Sequence, residues 1–182
     1  MPPHERVHKE GARVVPVKGK WAQGIQPRNF AWILKDKLAV CERPGGYGAN
    51  HRRVRRQEEI IWIREQGFTC VVTLIPSPHN LHNYDELGVA WRHLPFGPQD
   101  DPREVAGTLF PELAAMLSAG GKVLVHQDEL ADRVSGMMAG YLLWAEVIPL
   151  APQATSVVER LLSRQMGPLG RDLVALSTTI PR

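Results

Sequence analysis

Only two cysteines, Cys41 and Cys70, occur in the 182 residues, and neither stands in a CxxC pair. A disulfide framework and a cysteine-based structural zinc site are therefore excluded. Long apolar runs are also missing. The richest, Met137 to Leu150, falls short of the roughly 18 residues a membrane span requires and contains Glu146, so no spanning segment is expected. The opening stretch MPPHERVHKEGARVV has no apolar core of a secretory leader, and a cytoplasmic chain is expected. Charge of one sign is scarce too. A net +3 does not announce a nucleic-acid binder. What is present is an ordinary globular mixture, 43% apolar and 23% charged, which removes the disordered and fibrous classes. At this length one domain with some extra tail is expected.

The positive excess lies at the start. Residues 1–28 hold six Lys or Arg (Arg6, Lys9, Arg13, Lys18, Lys20, Arg28) against two Glu, and their apolar residues show no helical period. They read as a basic extended arm, docked through Trp21 if at all, with the domain proper over 29–182. Two short strands, Phe30 to Leu34 and Leu38 to Cys41, follow, and then a glycine-rich loop at 44–48. A helix is predicted from Asn50 to Gln66, closed by Gly67. The apolar run Phe68 to Ile75 reads as a strand covered on both faces, and Val89 to Leu94 as another, with a helical turn at Asn83 to Leu87 between them. Arg103 to Ala119 is helical by composition, with Pro111 kinking it or marking its ordered start. Lys122 to His126 is a short buried strand. Helices follow at Arg133 to Ala145, where Gly136 and Gly140 permit close packing, and at Thr155 to Gln165 and Leu169 to Leu176. The alternation argues for an α/β sheet with helices on both faces.

The chemistry is concentrated in Lys122-Val-Leu-Val-His126-Gln127-Asp128-Glu129-Leu130-Ala131-Asp132-Arg133-Val134-Ser135-Gly136. A strand, a six-residue turn, an arginine and an apolar helix present backbone N–H groups and a forked cation to an anion. Order and spacing resemble the HCxxGxxR loop of the cysteine-dependent tyrosine phosphatases, especially the small dual-specificity branch. Asn29-Phe-Ala-Trp-Ile-Leu, Gly67-Phe-Thr-Cys-Val-Val-Thr-Leu, Trp91-Arg-His-Leu-Pro-Phe and Arg160-Leu-Leu-Ser-Arg-Gln-Met-Gly-Pro look like other segments of that family. The resemblance covers roughly residues 29 to 176. It implies a dual-specificity-phosphatase-like α/β fold: a central, mainly parallel sheet of about four or five strands flanked by helices.

The reactive groups depart from the family. The nucleophilic cysteine is replaced by Gln127, whose amide cannot attack phosphorus. The family's glycine is Leu130, which cannot reach positive φ cheaply, so the cradle is expected to be deformed. The hydroxyl that would assist the leaving thiolate is Val134, with Ser135 adjacent. Asp128, Glu129 and Asp132 outnumber Arg133 within the turn, and poor phosphate affinity is expected. The family's Pro-Asp acid step falls on Pro95-Phe96, and Asp101 before Pro102 reads as a helix N-cap. Cys41 and Cys70 read as buried, inert thiols. His126 is expected to brace the loop, His79 and His82 to be exposed, and Trp32, Trp62 and Trp144 to be core or half-buried.

The reading that follows is a catalytically inactive phosphatase-like protein acting through another protein, with no cofactor, no metal, no membrane and no nucleic acid. His126, Gln127, Asp128, Glu129, Leu130, Ala131, Asp132 and Arg133 form the degenerate loop. Arg133 and Ser135 are the candidate ligand-binding residues, and Arg52, Arg53, Arg55 and Arg56 form a candidate contact for an anionic partner, against the alternative of a solvated face paired with Glu58 and Glu59. Two further readings stay open: a phosphate-ligand or phosphoprotein binder using Arg133, and an enzyme with altered acid/base or metal chemistry on Asp128, Glu129 and Asp132.

Overall fold

A computed structural model describes residues 23–46 and 53–182. Most of the expected arm, including Trp21, lies outside them, as does Arg52. Residues 24 and 25 already belong to the packed structure: the N–H of Ile25 donates to Glu58 O at 3.1 Å, and a side chain on Gly24 would meet that same carbonyl.

Five strands form one sheet: β1 (Ala31–Leu34), β2 (Leu38–Glu42), β3 (Cys70–Thr73), β4 (Trp91–His93) and β5 (Val123–Gln127). Their order is β1-β2-β5-β3-β4, with β1 and β2 antiparallel and every other pair parallel. The β1–β2 turn is two-stranded and tight, and Asp36 takes its left-handed position (φ 59°), which aspartate tolerates. Parallel pairing demands crossovers. These are supplied by α1 (Arg53–Glu65), by α2 (His82–Glu86) and by α3 (Pro102–Ser118), and the chain closes with α4 (Asp132–Trp144), α5 (Ala151–Leu162) and α6 (Pro168–Ser177).

Alternation along the strands divides the core in two. Leu38, Val40, Val72, Leu74, Val123 and Val125 face α3 to α6, whereas Ala39, Cys41, Val71 and Leu124 face α1 and α2. On β5 the same period sends Gln127 to the first side and His126 to the second. This separation sets the chemistry of the loop that follows.

The helices depart from expectation at two prolines. Helix α3 runs through Pro111, forgoing the hydrogen bond that residue cannot donate. Helix α5 starts at Ala151, before the expected Thr155, because Pro152 sits in its first turn, where a missing N–H costs nothing; it ends at Ser163 in a left-handed conformation (φ 51°). Gly136 does serve close packing: a Cβ there would lie 2.7 Å from Gly170 O and 2.9 Å from Leu173 Cβ. Gly136→Ala is expected to force α4 and α6 apart and to cost about 1–3 kcal/mol, read as a lower urea midpoint at unchanged slope. Among the described residues no helix is long and apolar enough to cross a membrane.

Candidate functional site

The loop joining β5 to α4 lies at the carboxyl edge of the parallel strands, where α/β sheets place their ligands. Its first member, His126, is buried on the α1/α2 side, with Nε2 2.8 Å from the Tyr84 hydroxyl and Nδ1 3.4 Å from Gln127 O. A carbonyl can only accept, so Nδ1 carries the proton and Nε2 receives the tyrosine O–H. Burial, aided by Arg43 and His93 and opposed by the bond to Gln127 O, pushes the imidazole pKa down to about 3. The sequence leads one to expect His126 to brace the loop; in the structure it is a buried, neutral ring held by Tyr84. Burial also pushes the Tyr84 phenol up.

Gln127, at the position where the resemblance places the nucleophile, is only 9% exposed. Its Nε2 donates to Phe96 O at 2.5 Å and more weakly to Leu74 O at 3.4 Å. Phe96 itself is 1% exposed, and the Arg133 guanidinium carbon lies 5.5 Å from its ring centroid. The residue that stands where the resemblance places a general acid is thus an aromatic ring packed against the loop's arginine. A cation over a ring face is favourable. It does not replace a hydrogen bond: Arg133 Nε is buried with no partner. Among the described residues the backbone N–H groups of Leu130 to Arg133 also find no acceptor.

The carboxylates do not act as the sequence suggested. Asp128 pairs with Arg43 at 3.1 Å, and Arg43 also donates to His79 O at 3.0 Å. Asp132 turns to the start of α6, accepting the N–H of Gly167 at 3.0 Å and of Gly170 at 3.1 Å. Glu129 is exposed. The expected concentration of negative charge facing an anion is corrected accordingly: one carboxylate is neutralised by a cation, and a second is spent on a helix terminus. Nor do Asp128, Glu129 and Asp132 form one acid/base or metal-ligand set, and among the described residues no three His, Cys, Asp or Glu are placed to hold a metal ion.

Leu130 lies outside the positive-φ region and is 8% exposed, its side chain part of the core beneath α4. The side chain goes inward, and Arg164 Nη1 holds the Leu130 carbonyl at 3.2 Å. Ala131 is the N-cap of α4 and has no side-chain oxygen to cap it. Ser135, a candidate ligand contact, is buried, and its hydroxyl donates back to Asp132 O at 3.4 Å.

The arginine cluster also divides. Arg56 is buried, with Nε donating to Asn83 Oδ1, and Arg55 pairs with the buried Glu59 at 2.6 Å, while Glu59 also accepts the Gly45 N–H. Arg53 is exposed. A single solvated basic face is therefore not present among the described members. Asp101 caps α3 as expected, accepting the Arg103 N–H at 2.9 Å, and Asp100 accepts the Gly97 N–H at 2.7 Å, so both loop aspartates are engaged in local structure. Cys41 is buried as expected. Cys70 is not: it is half-buried on β3, although burial and Glu112 raise its thiol pKa and burial and Glu59 raise that of Cys41.

Arg43, Tyr84 and Arg164 were not singled out by sequence reasoning, and Phe96 was named there only as the residue in the acid's place. The signal for Arg43 is the parallel register of β2 and β5, which sets Glu42 opposite Gln127 and so Arg43 beside Asp128. That register is a tertiary quantity.

No protein-family model and no curated protein matches the sequence. Solved structures do match in shape. Tk-PTP in its active form superposes with a TM-score of 0.66 at 18% identity, covering 84% of this chain and 98% of that one. Kinase associated phosphatase, with serine in place of its catalytic-site cysteine, gives 0.68 at 20% identity over 83% and 93%. The human tyrosine phosphatase-like serine/threonine/tyrosine-interacting protein gives 0.60 at 16% identity over 82% and 93%, and human DUSP28 gives 0.61 at 16% over 84% and 96%. With its five-stranded sheet, its flanking helices and its loop between β5 and α4, the chain has the fold of the dual-specificity and tyrosine phosphatases.

Proposed function

We propose that this phosphatase-fold protein is catalytically inactive and acts by binding another protein. The observation that carries the reading is the state of the nucleophile's position: Gln127 is buried, and its amide is tied to the carbonyl of Phe96, the residue packed under Arg133. An amide offers no electron pair for attack on phosphorus. The human neighbour is by its own name phosphatase-like and interacting, a description that suits this chain too. Assays with aryl phosphates and phosphopeptides are expected to show no turnover. Gln127→Cys is expected to stay below family-like rates, because Leu130 and Phe96 remain. Vanadate-sensitive hydrolysis by the unmodified protein would refute the reading.

A second reading, anion binding at Arg133, is favoured by the unpartnered Nε and by the free N–H groups at the start of α4. A salt-sensitive calorimetric signal with inorganic phosphate, lost in Arg133→Ala, would support it. No heat at millimolar phosphate would dismiss it.

A further inference from the structure

A cavity of about 350 Å3 adjoins the loop, with Glu129 and Leu130 on its wall and neither Gln127 nor Arg133 lining it. Arginines from three separate stretches of chain meet there: Arg28 before β1, Arg55 on α1 and Arg164 beyond α5. Each guanidinium has five donors. Arg55 directs Nε to Glu59 at 2.6 Å, Arg164 gives Nη1 to Leu130 O at 3.2 Å, and the Arg28 side chain makes no hydrogen bond or ion pair among the described residues. Most of the donor capacity thus remains for a ligand. Two carboxylates share the lining, Glu42, which accepts Asn29 Nδ2 at 2.7 Å, and Glu129.

We infer that this cavity receives a carboxylate side chain from an acidic segment of a protein partner, laid against the side of the loop formed by Glu129 and Leu130. The inference rests on the protein-binding reading above and names the chemistry of the partner. A guanidinium fork matches the two oxygens of a carboxylate in one plane. With three arginines against two glutamates the lining's net charge is small, and a dianion loses more hydration on entering than a carboxylate does, which favours the carboxylate. Glu42, which gives one carboxylate oxygen to Asn29, has its other oxygen as an acceptor for an N–H group of a bound peptide. The position is functionally apt, since a segment held there touches the loop without any need to displace Phe96.

The test uses the full chain and three fluorescent peptides of one sequence, bearing glutamate, glutamine or phosphoserine at the same positions, titrated by anisotropy at two salt concentrations. The glutamate peptide is expected to bind, more weakly at higher salt, and the glutamine peptide to show no saturable signal. Arg28→Glu is expected to raise the dissociation constant roughly tenfold or more. Lys35→Glu, the same charge change at the far end of the β1–β2 pair, is expected to leave it within about twofold. Equal binding of the glutamate and glutamine peptides, or none of either, overturns the inference. So does an equal loss in Lys35→Glu, a loss in Arg133→Ala without one in Arg28→Glu, or at least tenfold tighter binding of the phosphoserine peptide. Turnover is measured separately, so hydrolysis would sink the inactive-enzyme reading while leaving the peptide result to stand or fall alone.

Discussion

Asp132→Ala is expected to destabilise the protein by about 3–4 kcal/mol, more than any other carboxylate change in the loop. Helix α6 begins at Gly167, which has no side chain to cap it. Asp132 supplies the missing acceptors from across the fold, one oxygen to the Gly167 N–H and the other to the Gly170 N–H. It thereby does the work of both halves of a capping box, with its charge at the positive end of the helix. A Cβ on Gly167 would lie 2.5 Å from the same carboxylate, so the backbone approaches as closely as glycine allows. Truncation leaves both N–H groups without a partner and frees the contact between α4 and α6. Asp128→Ala is the control. Its pair with Arg43 is part-exposed, and the expected cost is about 1 kcal/mol or less. Urea unfolding of the two variants decides the matter; equal midpoints would show that the Asp132 contacts carry no weight.

Acidification is expected to weaken the fold well before the carboxylates titrate, and His126 is the reason. Its pKa is about 3 in the folded chain and about 6.5 in the unfolded one, so between those limits the unfolded state binds the extra proton and stability rises with pH. The contribution is complete above about pH 6.5 and is lost as pH falls towards 3. The loss from about pH 7.5 to 5.5 should be about 1.4 kcal/mol, growing to roughly 3 kcal/mol by about pH 4.5. Unfolding free energies measured across this window should fall for the native chain and stay level to about pH 5.5 for His126→Gln. A native curve that is flat from pH 7.5 to 5.5 would mean that His126 is protonated in the fold or reached by water. The Tyr84 O–H explains why neither is expected: it donates to Nε2, the atom that would have to accept the proton.

The fold was legible because it rests on local periods. The short apolar runs Leu38 to Cys41 and Val123 to Val125, bounded by polar or charged residues, have their meaning within a few residues of themselves. Element ends were less so. Pro152 looks like a break and is a helix start, a distinction made by which N–H groups lack partners anyway. The loop was legible as a motif and misread as a field of charge. Its three carboxylates are close in sequence, but the partners that fix where they point come from 85 residues away for Asp128 and 35 and 38 residues away for Asp132. No window along the chain contains those pairs. The arginine cluster was legible only in part: the Arg55–Glu59 pair is four residues apart, but Asn83, which takes Arg56 inward, lies 27 residues away.

By itself, the sequence determined that position 127 holds an amide where the resemblance places a thiol, and that a strand, a turn, an arginine and a helix follow one another around it. Residue identity sets what chemistry is possible. Only the tertiary structure decided what that amide does: it donates to Phe96 O, on a segment 31 residues earlier, and Phe96 lies against Arg133. A buried polar group must find a partner or bear the full cost of its lost hydration, and which partner is available depends on how the strands pack.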